Sequence, residues 1–302
     1  MLGRKVAEAL RSGRHLVADE VVRVANEADF LLLNLECCIS ERGRPWPDPR
    51  KPFHFRAPPA AVEVLTLLGV DCVTLANNHA LDYGEEALRE TLALLDSAGI
   101  AWAGAGGDLE EARRPAVRGD VAVVGVTDHP VDFAAGRGRA GVAYADLWRE
   151  VPAWLLETIA AQEAEVVLVS PHWGPNMIAS PVRHVRAAAP RLLDAGATLV
   201  AGHSAHVFHG VEGHVLYDLG DFLDDYAVDR ALRNDLGLFW LVDVEGSRPT
   251  RLEAVPLALD YCHTRLARGD EADWIAARFT SACAGLGTAV RREDERLVVE
   301  MY

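Results

Sequence analysis

The sequence predicts an α/β protein. Three observations carry that expectation: short Val- and Leu-rich runs recur along the chain, helical patterns lie between several of them, and polar residues stand directly after the runs. Taken in order, the apolar runs are FLLLNLE (30–36), CVTLANN (72–78), VAVVGVT (121–127), EVVLVSPH (165–172), TLVAGH (198–203), HVLYDLG (214–220), LFWLVDV (238–244) and LEAVPLAL (252–259). Their length and β-branched content suit buried strands. Residues 58–69 open on Pro-Pro and close at Gly69, which frames a helix. Residues 85–98 place Leu88, Leu92 and Leu95 on one helical face, and residues 182–195 do the same with Val182, Val185, Ala189, Leu192 and Leu193. The runs from 214 to 259 succeed one another without helices, so part of the sheet is expected to be antiparallel. The Pro- and Arg-rich segment 41–58 reads as a rim, and the Gly-rich segment 128–144 as a mobile loop.

The 302 residues, half of them hydrophobic, suffice for one large domain. No run reaches the roughly 20 apolar residues that span a bilayer. The stretch MLGRKVAEALRSGRH has no apolar h-region, so the expectation is a cytoplasmic chain without a membrane anchor. The net charge of −15, from 45 acidic and 30 basic residues, argues against nucleic acid, which is bound through clustered Lys and Arg. It leaves room for a small anionic substrate, because a bound cation reverses the local field. The five cysteines (37, 38, 72, 262 and 283) are odd in number and show no CxxC spacing, which excludes a disulfide frame and a thiolate zinc site as expectations.

The candidate site emerges from the polar residues at the end of each run. Asn34 and Glu36 close the first, Asn77, Asn78 and His79 the second, Asp128 and His129 the third, His172 the fourth, and His203 and His206 the fifth. Ligands of open α/β sheets bind beyond the carboxyl ends of the strands. Five strand ends thus deliver nitrogen and oxygen donors toward what could be one place. Each signal also has a plainer account. An Asn-Asn-His turn can cap a helix, His172 before Trp173 can be a satisfied core imidazole, and GHSAHVFHG can be a solvated loop. Neutral imidazoles with an amide and a carboxylate suit a divalent ion such as Mn, Fe, Co or Zn, and a carboxylate can bridge two of them.

These segments resemble the CapA family of bacterial capsule and poly-γ-glutamate synthesis proteins, a branch of the calcineurin-like metallophosphatases. The matching stretches are MLGR (1–4), NLECCIS (34–40), KPFHFRAPP (51–59), LANNHALDYG (75–84), HWG (172–174), GHSAHVFHGVE (202–212) and YDLGDF (217–222). The resemblance implies a single domain over 1–302, with a core to 245 and C-terminal strands and helices over 246–302. It implies a four-layer sandwich of two mixed β-sheets flanked by helices, and a dinuclear metal site. On it, Glu36 bridges the ions, Asn78, His172 and His203 hold the second, His206 reaches the first, His79 is the catalytic imidazole, and Asn77 holds the turn. Arg4 and Arg56 would hold substrate anions. The family's first motif places a Gly-Asp pair ahead of MLGR, and that Asp ligates the first metal. The expectation is one ion bound firmly and a second weakly.

The leading functional expectation is a divalent-metal-dependent hydrolase of a phosphoester or related anionic substrate, linked to capsule or poly-γ-glutamate metabolism, with His79 protonating the leaving oxygen. A second is a peptide-modifying enzyme using acid–base chemistry, such as epimerisation, in which Asp128 and His129 gain importance. A third is a non-catalytic binding protein, with DFLDDYAVD (221–229) and KPFHFR (51–56) as contacts; solvated surface is the plainer account of both.

Overall fold

A computed structural model describes residues 1–301. Its frame is a six-stranded sheet with β4 (Val121–Thr127), β5 (Val166–His172), β6 (Leu199–Ala201) and β7 (Val215–Leu216) running parallel, flanked by antiparallel edges at Ala116–Arg118 and Val211–Glu212. Strands β4 and β5 pair in register from Val121–Val166 to Thr127–His172. A parallel strand covered on both faces reads as a continuous apolar run, as VAVVGVT does. Three short parallel strands, β1 (Leu32–Asn34), β2 (Cys72–Thr74) and β3 (Ala101–Ala103), form a second sheet in the order β1-β2-β3. The long hairpin β8 (Leu236–Glu245) and β9 (Arg248–Leu259), with β10 (Arg296–Glu300), forms most of a third, antiparallel sheet.

Among the described residues, eight α-helices cover these sheets: α1 (Arg4–Arg11), α2 (Asp19–Ala25), α3 (Val62–Leu67), α4 (Gly84–Ser97), α5 (Leu109–Arg113), α6 (Ala153–Ala160), α7 (Arg183–Asp194) and α8 (Asp270–Ala284). Helix α4 buries Leu88, Leu92 and Leu95, the stripe its sequence displays, and carries Glu85 and Glu86 at its positive end. The C-terminal segment belongs to the same core. Ile275 and Phe279 of α8 pack with Phe208, Leu216 and Leu252.

The α/β class is as expected, but hydrogen bonds divide the strands into five sheets rather than two mixed ones; the remaining two are two-stranded, at 38–39 with 56–57 and 105–106 with 141–142. Two physical features account for the division. The second and first sheets meet through glycine: a Cβ on Gly125 would lie 2.7 Å from Thr74 Oγ1, and one on Gly104 3.1 Å from the Gly125 carbonyl carbon. The backbones touch there without a ladder between them. On the other flank, β1 and β8 are both terminal strands of their sheets and face a cavity of about 610 Å³. The loop expected over 128–144 is partly built: Phe133 is buried and Gly141–Val142 pairs with Ala105–Gly106.

All five cysteines are free and buried. Burial raises the thiols of Cys37 and Cys283 to about 11 and that of Cys72 to about 12. A thiolate is the reactive form. The native protein is therefore expected to leave an aromatic disulfide reagent unreacted at pH 8, and to release five equivalents once denaturant is added. Fast reaction of one thiol in the native protein would contradict the packing described.

Candidate functional site

The strand ends do converge. His172 is the last residue of β5, and the chain after β6 bends so that His203 forms a parallel bridge with it. The two imidazoles face each other, Nδ1 to Nδ1, at 2.8 Å. Ser170 Oγ lies 3.1 Å from His203 Nε2. Burial holds His172 well below the ordinary imidazole range and His203 down to about 3, so both rings are neutral. His172 Nε2 is buried without a partner.

Residues 77–79 lie against the end of β1. Asn77 is structural: its amide donates to Asn34 Oδ1 at 2.9 Å and Leu35 O at 3.0 Å, and its Oδ1 accepts from His79 N at 3.0 Å. This holds the turn as expected, and fixes it to the end of β1. The helix-cap account fails, since α4 begins five residues beyond His79 and Tyr83 occupies its N-cap. Asn78 Oδ1 is left buried and unpartnered.

His79 is positioned on three sides. Its Nδ1 lies 2.6 Å from Asp82 Oδ2. Phe55 stacks on the ring with centroids 3.8 Å apart. Its Nε2 looks toward Glu36 Oε1 at 3.9 Å. Asp82 is itself fixed: Oδ2 also accepts from Phe55 N at 2.6 Å, and the Lys51 ammonium stands 2.9 Å from Oδ1. Burial lowers His79 below its usual range against the pull of Asp82 and Glu36. A neutral ring whose Nδ1–H points at a carboxylate presents its Nε2 lone pair on the opposite edge, the one that looks toward Glu36. Glu36 Oε2 accepts from the Asn34 amide at 3.1 Å, and its Oε1 has no partner.

His206 sits at the third corner with a φ of +60°, next but one to Ser204 at +134°. Non-glycine residues held in such conformations cluster at functional sites. The His206 Nδ1 lies 3.0 Å from Asp221 Oδ1. Burial opposes its charge, but Asp221, aided by Glu36 and Asp218, raises it to about 10. Asp221 Oδ2 remains buried and unpartnered, and Glu36, His203, His206, Asp221 and Tyr226 line the head of the cavity.

Asp128 and His129 occupy the end of β4, as the sequence places them. The fully buried Asp128 carboxylate takes His129 Nδ1 at 2.5 Å, His184 Nε2 at 3.0 Å and Gly174 N–H at 3.1 Å. It ties β4, β5 and α7 together, and the His129 ring lies 5.0 Å from that of His172. Arg4 and Arg56 lie outside the cavity lining. Arg4 pairs with Asp225 at 3.3 Å, and Arg56 lies over the Tyr83 ring at 4.1 Å.

The solvated account of 221–229 is corrected. Leu223, Asp224 and Asp225 are buried and Tyr226 is half-buried, while 227–229 are exposed as expected, and burial raises Asp224 to about 8. Asp225 Oδ2 accepts from Lys5 N–H at 2.8 Å, which pins this stretch to α1. Sequence reading also missed Asp82 and Asp221. Both stand inside the matching stretches, three residues after His79 and fifteen after His206, but only folding brings each carboxylate against its imidazole.

A metal is tested by its donors. No three His, Cys, Asp or Glu side chains among the described residues are grouped to hold an ion by themselves. The set whose chemistry fits adds the amide: two neutral imidazoles, His172 and His203, with the unpartnered Asn78 Oδ1 and Glu36 Oε1 nearby. Beside Glu36 and His206, Asp221 Oδ2 is a further unpartnered oxygen, on the carboxylate whose Oδ1 faces His206 Nδ1.

An α/β chain whose strand tips gather imidazoles, amides and carboxylates at one cavity head defines the class. The profile of the bacterial capsule synthesis protein family PGA_cap matches residues 1–226, and the chain belongs to that family. It is 34% identical over 272 residues to a probable polyglutamine synthesis accessory protein of Mycobacterium tuberculosis, covering 82% of this chain and 70% of the relative. It is 28% identical to the PGA biosynthesis protein CapA of Bacillus subtilis over 74% of this chain and 61% of the relative. Against the capsule biosynthesis protein CapA of Bacillus anthracis the identity is 27%, over 85% and 65%. Among the described residues, no helix is long and apolar enough to cross a membrane.

Proposed function

We propose that this capsule-synthesis family member is a hydrolase with a metallophosphatase-type architecture, acting on a phosphoester or related anionic group in capsule or poly-γ-glutamate metabolism. The observation that carries the reading is the His79–Asp82 pair, 2.6 Å apart and buried, with the free edge of the imidazole turned to Glu36 at the cavity head. Asp82 orients the ring and stabilises its charged form, as a third group does for a general acid–base histidine. His79 then moves a proton at Nε2: its lone pair takes one from an incoming nucleophile, and the imidazolium so formed, held by Asp82, returns it to the leaving oxygen. Phe55 keeps bulk water off one ring face.

Asn78, His172 and His203 would hold a divalent ion, with Glu36 completing the set. Bound there, such an ion supplies Lewis-acid polarisation of the substrate's oxygen and charge for an anion. That charge matters in a chain of net −15. Arg4 and Arg56, tied as they are to Asp225 and Tyr83, would contribute to substrate binding only from the rim.

The metal reading has its own measurement. After loading with Mn²⁺ or Zn²⁺ and dialysis, elemental analysis is expected to find one tightly held ion per chain. The His203→Ala variant should retain none. Two firmly held ions, or retention by the variant, would contradict the donor set. The reaction class is tested by assaying bis(p-nitrophenyl) phosphate and a γ-glutamyl peptide with and without added Mn²⁺. Ester or amide hydrolysis that saturates with substrate supports the proposal. Saturable peptide epimerisation without hydrolysis would replace it with the acid–base alternative.

A further inference from the structure

Arg278 of α8 is half-buried, and two of its donors, Nε and Nη2, are buried without an acceptor among the described residues. These two atoms share one edge of the guanidinium plane. Elsewhere in the chain that edge takes a carboxylate: Arg233 lays it on Asp235 at 2.8 and 2.8 Å, and Arg50 on Asp48 at 3.1 and 2.9 Å. An arginine keeps its charge in a protein, and buried donors left unpaired are costly. Burial pulls the Arg278 pKa down, with no carboxylate to oppose it. The Phe208 and Trp274 rings lie 5.2 and 5.5 Å from its Cζ. Ring faces attract the cation, but they present no oxygen to the open edge.

His209, the neighbour of Phe208, carries the complementary vacancy. Its Nε2 lies 2.9 Å from Ile178 O and therefore donates, which leaves the lone pair on Nδ1. That Nδ1 is buried without a partner, in a residue only 3% exposed. Burial, with the Arg278 charge acting on it, lowers the ring to about 4, so the lone pair stays free at neutral pH. The surroundings leave little room to repack. A Cβ on Gly210 would lie 2.6 Å from Ala282 O, and Val211 N–H points at Cys283 Sγ at 3.4 Å, so residues 210–211 are pressed onto the turn of α8 that follows Arg278.

We propose that Arg278 and His209 form a binding subsite, separate from the candidate catalytic site, for a carboxylate that carries an N–H on the neighbouring carbon, as in an N-acylated amino acid. The carboxylate meets the Nε–H and Nη2–H edge side-on, the geometry in which a guanidinium binds a planar anion twice. The ligand's N–H donates to His209 Nδ1. Trp274, half-buried one turn before Arg278 on the same helix, is the group that shifts to admit it. The subsite lies partly beyond residue 226, where the match to the family profile ends. It stands whether or not the hydrolase reading does.

The test follows the Arg278 Nε–H signal of the full chain by NMR, assigned by its loss in Arg278→Lys, while N-acetylglycine, propionate, inorganic phosphate or sodium chloride is added. N-acetylglycine is expected to move the signal saturably, and to raise the melting temperature by about 3 °C at ten times its dissociation constant. Arg278→Lys keeps the charge but loses the paired edge, so its affinity, read by calorimetry, should fall at least about tenfold. Propionate lacks the N–H and should bind about fivefold more weakly than N-acetylglycine. In His209→Phe that preference should vanish; it is a ratio within one variant, so a general loss of stability does not imitate it. Acetyl-trialanine separates the two sources of such a group: tighter binding than N-acetylglycine identifies a peptide end, and equal binding a single acylated amino acid. A signal that no carboxylate moves, saturation by phosphate in place of N-acetylglycine, equal affinity of Arg278→Lys, or a preference that survives in His209→Phe would overturn the proposal.

Discussion

Replacing His79 by Gln lowers turnover about 100-fold or more and shifts the melting temperature by no more than about 2 °C. The activity loss follows from the geometry. Nε2 is the edge turned to Glu36, and Gln carries no group that takes and returns a proton at that point. The small stability change follows from the partners that remain. Loss of the imidazole takes one partner from Asp82 Oδ2, which keeps the Phe55 N–H at 2.6 Å, while Oδ1 keeps the Lys51 ammonium at 2.9 Å. The carboxylate is not orphaned, so the several-kcal/mol penalty of an unpaired buried charge does not arise. If activity survives and the melting temperature collapses instead, His79 is a packing residue and the proposed chemistry is wrong.

The Gly202→Ala substitution has the largest expected effect on stability. A Cβ there would lie 2.3 Å from Trp173 Nε1 and 2.4 Å from Tyr217 O, the two ends of a 2.9 Å hydrogen bond. Neither can yield cheaply, because Trp173 is buried in the core and Tyr217 O is backbone. Gly202 is also bonded on both sides, to Leu216 O and from Leu219 N–H, each at 2.8 Å. The expected cost is about 3 kcal/mol, a fall of about 8 °C in melting temperature. Gly285→Ala is the control. Its Cβ would meet nothing closer than 3.5 Å and its φ is −64°, so a change within about 0.5 kcal/mol is expected. Because His203 is the next residue after Gly202, the variant should also lose metal retention. Equal stability of the two variants would refute the close packing at this turn.

The parts of the fold that were legible in the sequence are those whose signal is local. VAVVGVT is the strand at 121–127 to the residue, and the helix expected at 85–98 runs from Gly84 to Ser97. Both are apolar patterns of full length with clear stops. The amphipathic α1 was hidden because RKVAEALR is short and polar on average, and buries only Val6, Ala7 and Ala9. The strand Arg291–Glu293 is fully exposed and made of charge, so no hydrophobic period announces it; it exists because Arg296–Glu300 offers it an edge. The division into sheets was illegible for a different reason. It depends on which strand edges meet, and edge pairing leaves no mark on composition.

The site divides in the same way. Glu36, Asn78, His79, His172, His203 and His206 were found because strand ends are visible as changes from apolar to polar. Their orienting groups were not. Asp82 and Asp221 act through burial and a particular side-chain direction, and an aspartate in a turn looks alike in sequence whether it faces solvent or an imidazole. The buried Asp224 and Asp225 make the same point, since an acidic stretch is normally solvated and here it is packed against α1.

The central claim is that Asp82 holds the Nδ1–H of a neutral His79 and leaves Nε2 free toward Glu36. Long-range ¹H–¹⁵N correlation spectra of the imidazole rings, assigned by loss of the His79 signal in His79→Gln, test it without knowledge of the substrate. The expected result is the Nδ1–H tautomer at neutral pH, a titration shifted below the ordinary imidazole range, and loss of that tautomer preference in Asp82→Asn. An Nε2–H tautomer, or a ring that titrates as an exposed histidine does, would contradict it.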